Sequence, residues 1–449
     1  MNRRIWHVTT AAFLVPCCFL SAQSASGGTV TVVIHGQDPM GFGGPLWDMG
    51  QELFTYWDAQ PGRAVEYRYE KSTLGLTAVR GVTGNANKII VFDWASESDR
   101  WQGGYDEAAG DALFAMLAAN NLLDSDYLHL IGHSRGAIVA SQAARRIVHY
   151  GHTLNQLTLL DSEPGPVPLN KAGPAFAWEG IGLVDNYYGS GTWYEGWQLK
   201  GEPIAGAYNV YMDKAHEAFP QWYTATIKDP NATNGYFWRI NDQSNAIPTG
   251  SPTPVIPPPD VINGDFNYGV VEFMGTGLPA EFSATTIAGW DYHGGGGTGH
   301  VDTPPYWLEL DWDNDLKSHN WLFAPEDAVS LLFTAKVSDS SFNDLFYVDL
   351  ETLPWAPSGH IYRMYRPLSL QSETDWRVYA VHMSEFAGSV FRFTFLIWTD
   401  GWYNPVDSEV LINDVWFEHK PVPEPSSIVL LSMGALTLTL CWWRRRRAA

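Results

Sequence analysis

Residues Leu128 to Gly136 read LHLIGHSRG, and an Ala-rich segment, AIVASQAARRI, follows at once. A run of apolar strand-formers that ends in Gly-x-Ser-x-Gly and turns directly into a helix leaves few folds open. The turn has to be tight, so Gly132 and Gly136 stand where a side chain would clash, and the helix start aims its free N–H groups at the serine. The pattern predicts a nucleophile elbow at Ser134, and with it acyl transfer through a serine.

The flanking segments fit the same frame. TVTVVIHG (Thr29 to Gly36), KIIVFDWA, YLHLI, QLTLLD and GLVDNYY are short apolar runs, as expected of strands buried on both faces. Between them, WDMGQELFTYWD, YDEAAGDALFAMLAANNLL and the helix after Ser134 carry helical spacing. Alternation of this kind predicts an α/β fold, a mostly parallel sheet with helices on both faces.

Both ends of the chain are address labels. Residues 1–25 place Arg3 and Arg4 before the apolar run AAFLVPCCFL and small residues around Ala22 and Ala25, the form of a cleavable signal peptide. At the other end, Pro423-Glu424-Pro425 precedes an apolar stretch from Ile428 to Trp443 and four arginines, Arg444 to Arg447. That order resembles the PEP-CTERM sorting signals of Gram-negative bacteria. The resemblance implies a sorting signal at 421–449 with transient membrane anchoring through its apolar transmembrane segment, Ile428 to Trp443, removal of the tail by an exosortase-type processing enzyme, and a mature protein outside the cell or on its surface.

Cys17 and Cys18 lie in the signal and Cys441 in the tail, so the exported part has no disulfide and relies on core burial. The net charge is −22, and the two removable ends carry six of the arginines against one acid, so the remainder is more acidic still. Such a surface repels nucleic acid and anionic membranes. No cofactor and no metal ligand set is read from the motifs. Asp311-Trp-Asp313-Asn314-Asp315 has oxygen ligands for calcium but lacks the glycine and distal glutamate of an EF-hand loop, and a solvated turn is the favoured reading.

Composition breaks at 244–260, SNAIPTGSPTPVIPPPD, which reads as a semi-rigid extended linker between an α/β domain at 29–243 and a second domain at 261–419. The second domain alternates apolar and polar residues in short runs such as LFYVDLE, WRVYAVHM and VFRFTFLIW, which predicts an all-β sandwich of jelly-roll type. Its opening VINGDFNYG and closing LINDVWF resemble modules found beside bacterial extracellular enzymes, some of which bind carbohydrate. Carbohydrate is therefore a candidate ligand, with an exposed Trp as the stacking surface.

Taken in order, VVIHG, VFDW, YLHLIGHSRGA and QLTLLDSEPGP resemble the lipase branch of the α/β-hydrolases, pancreatic-lipase type included. The resemblance implies a serine esterase or lipase with a triad in the chain order Ser, acid, His. A serine hydroxyl needs a neutral imidazole to take its proton and a carboxylate to hold that imidazole. His216, late in the domain, is the candidate base. His149 and His152 end a helix, His129 lies within a strand, and His133 is expected to point away from the nucleophile. Two acids stay open: Asp161, favoured because LLDSEPG resembles the aspartate segment of pancreatic-type lipases, and Asp185 in GLVDNYY. The oxyanion hole is expected from the N–H groups of Arg135 and Gln37, with His35 orienting the loop after the first strand. Lipases usually carry Leu in place of Arg135, and a charge there argues against a greasy long-chain site. The substrate class is a carboxylic ester of a lipid, a polymer or an acylated sugar. The rival from another class is an extracellular surface or matrix binding protein, with the hydrolase domain as a non-catalytic scaffold and the sandwich doing the binding.

Overall fold

The computed structural model describes residues 28–37, 44–70, 74–98, 104–163, 174–194, 197–229, 231–237 and 248–258, and then 290–293, 308–310, 316–319, 322–339, 345–352, 361–369, 376–383, 386–398 and 409–420. The signal peptide, the sorting tail, VINGDFNYG and the acidic stretch Asp311 to Asp315 lie outside the described residues.

The first part runs β1 (Thr29–Ile34), α1 (Gly44–Asp58), β2 (Ala64–Glu70), β3 (Gly75–Gly81), β4 (Asn87–Phe92), α2 (Ala95–Ser98), α3 (Tyr105–Ala119), β5 (Tyr127–His133), α4 (Arg135–His149), β6 (Gln156–Leu160) and β7 (Leu183–Gly189). It continues through β8 (Thr192–Tyr194), β9 (Trp197–Leu199), β10 (Tyr208–Met212), a 3-10 turn (His216–Ala218) and α5 (Phe219–Ile227). Eight strands form one sheet in the order β10-β7-β6-β5-β1-β4-β2-β3. All neighbours are parallel except β3, which returns antiparallel on β2.

Strand side chains alternate between two cores, which explains why these runs are apolar throughout. Val30, Val32 and Ile34 with Leu128, Leu130, Leu157 and Leu159 face the layer of α3 and α4. Val33, Ile89, Ile131 and Leu160 face the other layer, with Leu46, Met49 and Leu53 of α1 and Phe219, Tyr223 and Ile227 of α5. The expected mixed architecture is present, with helices on both faces of a mostly parallel sheet. The pair β2–β3 and the small antiparallel hairpin β8–β9 add to it.

The second part is β11 (Trp290–His293), β12 (Leu308–Leu310), β13 (Leu316–His319), β14 (Leu322–Phe323), β15 (Ala328–Asp339), β16 (Leu345–Thr352), β17 (Ile361–Ser369), β18 (Arg377–His382), β19 (Val390–Trp398) and β20 (Glu409–His419). One antiparallel sheet has the order β11-β13-β19-β16-β17, with β14 also on β19, and the other β12-β20-β15-β18. Leu331, Phe333 and Ala335 of β15 and Val410 and Ile412 of β20 share one core with Phe391, Phe393 and Phe395 of β19 and Leu350 of β16. This is a β-sandwich, with every second residue turned inward.

The segment expected to be a linker lies along the first part. Thr253 exchanges backbone hydrogen bonds with Ala177 and Glu179, both at 2.8 Å. The Arg145 guanidinium donates to the carbonyls of Ile256 and Pro257. Its prolines hold it extended, and its free carbonyls are what the docking uses.

Candidate active site

Ser134 sits between β5 and α4 at φ 56° and ψ −128°, a conformation L-residues avoid. The two glycines of the motif are there for lack of space. A Cβ on Gly132 would lie 2.3 Å from the Gly136 carbonyl oxygen, and one on Gly136 would lie 2.3 Å from that of His35. The Ser134 N–H donates to the carbonyl of Leu160 at 3.0 Å, which ties the elbow to the end of β6 and to Asp161 beyond it.

Asp161 is fully buried at φ 46°. Its Oδ2 lies 2.6 Å from His216 Nδ1, and its Oδ1 accepts the N–H groups of Gly189 at 2.8 Å and Gly201 at 2.9 Å. Three nitrogens thus converge on one carboxylate, and the imidazole is held through Nδ1, which leaves Nε2 as the ring nitrogen not engaged by Asp161. His216 itself is 5% exposed, at the start of the 3-10 turn. Among the described residues no hydrogen bond joins Ser134 Oγ to His216. Such contacts commonly close only when substrate is bound.

His133 packs against His216. Its ring lies 4.7 Å from that of His216, and its Nε2–H donates to the His216 carbonyl at 3.0 Å. Burial and the neighbouring His216 hold its pKa down to about 3, so it packs as a neutral ring.

Asp185 is placed elsewhere. It is the third residue of β7, with Thr158 as its register partner, and accepts from Thr158 Oγ1 at 2.8 Å and Gln156 Nε2 at 3.0 Å. Burial pushes its pKa up to about 6. His129 completes this buried network, its Nε2 2.8 Å from the Thr158 hydroxyl. Among the described residues no hydrogen bond joins Asp185 to His216, whose Nδ1 is taken by Asp161. His149 and His152 lie at the end of α4, with His152 3.3 Å from Asp124.

The loop after β1 stands against Ser134. A Cβ on Gly36 would lie 2.6 Å from Ser134 Cβ, and the half-buried Gln37 follows directly. His35 orients this loop: its Nδ1–H donates to the Gly36 carbonyl at 2.7 Å and its Nε2 accepts the Trp94 N–H at 3.0 Å. Arg135 opens α4, where a first-turn N–H has no partner within the helix.

The Arg135 side chain corrects the expectation drawn from its charge. It is 2% exposed and turns away from the sheet end into an ion pair with Asp106 at 2.7 Å. It also donates to the Ser98 carbonyl at 2.6 Å and stacks over the Trp94 ring at 5.4 Å. Its charge is therefore paired in the protein interior rather than exposed beside Ser134. Nothing in the sequence signalled the amide donors Gly189 and Gly201, because a backbone N–H leaves no mark on residue type.

Residues 421–446 match the PEP-CTERM protein-sorting motif, so the chain carries that signal at its C-terminal end. No curated protein matches the chain. Among solved structures, it is similar to TmCBM61 in complex with beta-1,4-galactotriose, at 9% identity over 31% of this chain and 94% of that one, with a TM-score of 0.23. It is also similar to the CBM22-1 xylan-binding domain of Paenibacillus barcinonensis Xyn10C, at 13% identity over 32% and 92%, TM-score 0.23. A third is the family 30 carbohydrate-binding module of a Clostridium thermocellum cellulosomal cellulase, at 13% identity over 29% and 91%, TM-score 0.20. Among the described residues no helix is long and apolar enough to cross a membrane, and no cluster of three metal-ligating side chains occurs.

Proposed function

We propose that the first part is an exported α/β-hydrolase that cleaves carboxylic esters through Ser134, His216 and Asp161. The observation that carries this reading is the 2.6 Å pair of Asp161 and His216, built beside a serine held at positive φ on a strand-to-helix turn. His216 Nε2 takes the Ser134 proton as Oγ adds to the ester carbonyl. The negative charge that develops on the carbonyl oxygen is met by the N–H groups of Arg135 and Gln37. The imidazolium, stabilised by Asp161, then protonates the departing alcohol oxygen, leaving an acyl-serine. Water, deprotonated by the same Nε2, releases the acid and restores the enzyme. The sorting motif supports export, with an exosortase-type enzyme as processing partner.

Incubation of the processed protein with a fluorophosphonate probe and with acetyl and long-chain acyl esters tests the proposal. Labelling at Ser134 that vanishes in Ser134→Ala, with turnover of at least one ester, is the expected result. Wild-type protein that neither labels nor hydrolyses any ester would overturn it.

One observation favours a second reading, a surface-binding protein that acts through its sandwich. On the edge strand β18 and just before it, Val378 is 60% and Trp376 41% exposed, an apolar surface of the kind that takes a ligand. Retention of acetylated or plain polysaccharide by Ser134→Ala but not by Trp376→Ala is the outcome that reading requires.

A further inference from the structure

Asp161 does more than hold His216. Its Oδ1 accepts the N–H groups of Gly189 and Gly201, the two residues that bracket the hairpin β8–β9. A Cβ on Gly201 would lie 2.9 Å from Asp161 Oδ1 and 3.0 Å from its Cα, so the second foot of the hairpin rests directly on the triad acid. The hairpin is tied to the base as well. The Thr192 hydroxyl accepts the His216 N–H at 3.1 Å and donates to Glu217 Oε2 at 2.9 Å. Three hydrogen bonds, at Gly189, Thr192 and Gly201, thus fix the described feet of the hairpin to Asp161 and His216.

Successive side chains on a strand face opposite ways, so Thr192 faces the His216 turn and Trp193 faces outward. Trp193 is 73% exposed, more than any other large hydrophobic side chain among the described residues. Its cross-strand partner is Gln198, also exposed, whose Nε2 donates to the Ser190 carbonyl at 2.9 Å and whose amide oxygen has no hydrogen-bond partner among the described residues. The hairpin thus presents a flat indole face beside a fixed amide. A sugar ring uses that pairing, its C–H face stacking on the indole and a hydroxyl reaching the amide.

Charge narrows the class. Glu163, bonded to the Lys200 N–H, and Glu217 stand at the base of the hairpin, and the whole chain carries −22. Polyuronates and anionic membranes are repelled by such a surface. A neutral sugar is not.

We infer that the outer face of β8–β9 is a saccharide-stacking platform, with Trp193 and Gln198 as its contacts, that holds a neutral acylated polysaccharide chain while one of its esters is presented to Ser134. The ester half of this assignment rests on the hydrolase reading above; the binding half does not. Trp193 sets specificity and takes no part in bond making.

Two arms test it. In the binding arm, Ser134→Ala protein is run through gels containing soluble acetylated cellulose, with polygalacturonate as the anionic control. Retardation by the neutral polymer only, weakened about tenfold in Ser134→Ala/Trp193→Ala and largely restored by Trp193→Phe, is expected. In the kinetic arm, Trp193→Ala raises KM for acetylated cellulose about tenfold more than for ethyl acetate, with kcat on the polymer held. Equal losses on both esters would show that Trp193 supports the triad and would overturn the platform. So would retardation untouched by Trp193→Ala, or activity of the wild type confined to micellar long-chain esters. Retardation that depends on Trp193 without turnover of any ester would keep the platform and sink the hydrolase reading instead.

Discussion

Asp161 shows how much a single carboxylate can be asked to hold. Its two oxygens serve different masters: Oδ2 fixes the imidazole of His216, and Oδ1 gathers the amides of Gly189 and Gly201. Asp161→Asn keeps the amide contacts through the carboxamide oxygen but turns an NH2 toward His216 Nδ1. The imidazole then adopts the wrong tautomer, and kcat is expected to fall on the order of 10⁴-fold with the thermal midpoint little changed. Gly201→Ala acts from the other side, pushing the carboxylate by its new Cβ, and should lower kcat while leaving KM for a small ester near wild type. Ester kinetics with circular dichroism as the folding control check both; a Gly201→Ala enzyme with undiminished kcat would show that Oδ1 is idle. Ser134 and His216 were legible in the sequence as candidates because motif spacing and chain order point to them. Asp161 and Asp185 were not separable there, since both close or follow an apolar run. What separates them is position along the strand: Asp161 stands just beyond β6 at the site, whereas Asp185 lies within β7 and faces Thr158.

At the scale of elements, the elbow is supported from below by the packing of α3 on α4. Arg135 pairs with Asp106, and Arg146 with Asp111 at 2.9 Å, all four nearly or fully buried. Ion pairs of this kind contribute little when intact, yet removing one partner strands the other charge. Asp106→Leu should therefore cost about 3–5 kcal/mol in denaturant unfolding, and most of that should return in Asp106→Leu/Arg135→Met. A double variant no more stable than the single would show that the guanidinium contacts to Ser98 and Trp94, rather than the pair, hold the element. The strands β1, β4, β5 and β6 and the helices α1, α3 and α4 were readable because each run is apolar on both faces or on a helical stripe. The pair β2–β3 was not. VEYRY alternates charge with aromatics and β3 is largely exposed, so neither carries the continuous apolar signal of a buried strand. β8 and β9 are three residues each, too short for any periodicity.

The whole molecule was read as two domains on a spacer, and its described contacts bind the parts more closely than that. The Pro-rich segment is fixed to the first part through Thr253 and Arg145. Phe323 of β14, in the sandwich, packs edge-on against Phe114 of α3 and Tyr150 after α4, with ring centroids 5.5 and 5.2 Å away. Proline content signals an extended backbone, but what an extended backbone lies on depends on surfaces that only folding brings together. Contacts of this kind couple the stability of the two parts, and with no disulfide in the exported chain they are cross-links the molecule has in their place. Full-length processed protein is therefore expected to unfold in one calorimetric transition. Phe323→Ala removes the ring that both parts share. For a half-buried aromatic the cost is about 2 kcal/mol, below the figure for a fully buried one. Its main consequence is a split into two transitions, the sandwich melting first because its described core is the smaller. Ester turnover by the split variant should persist through the lower transition and disappear at the upper one, because Ser134, His216 and Asp161 all lie in the first part. A single transition in Phe323→Ala, or activity lost at the lower one, would show that the two parts fold as one unit through contacts other than this ring.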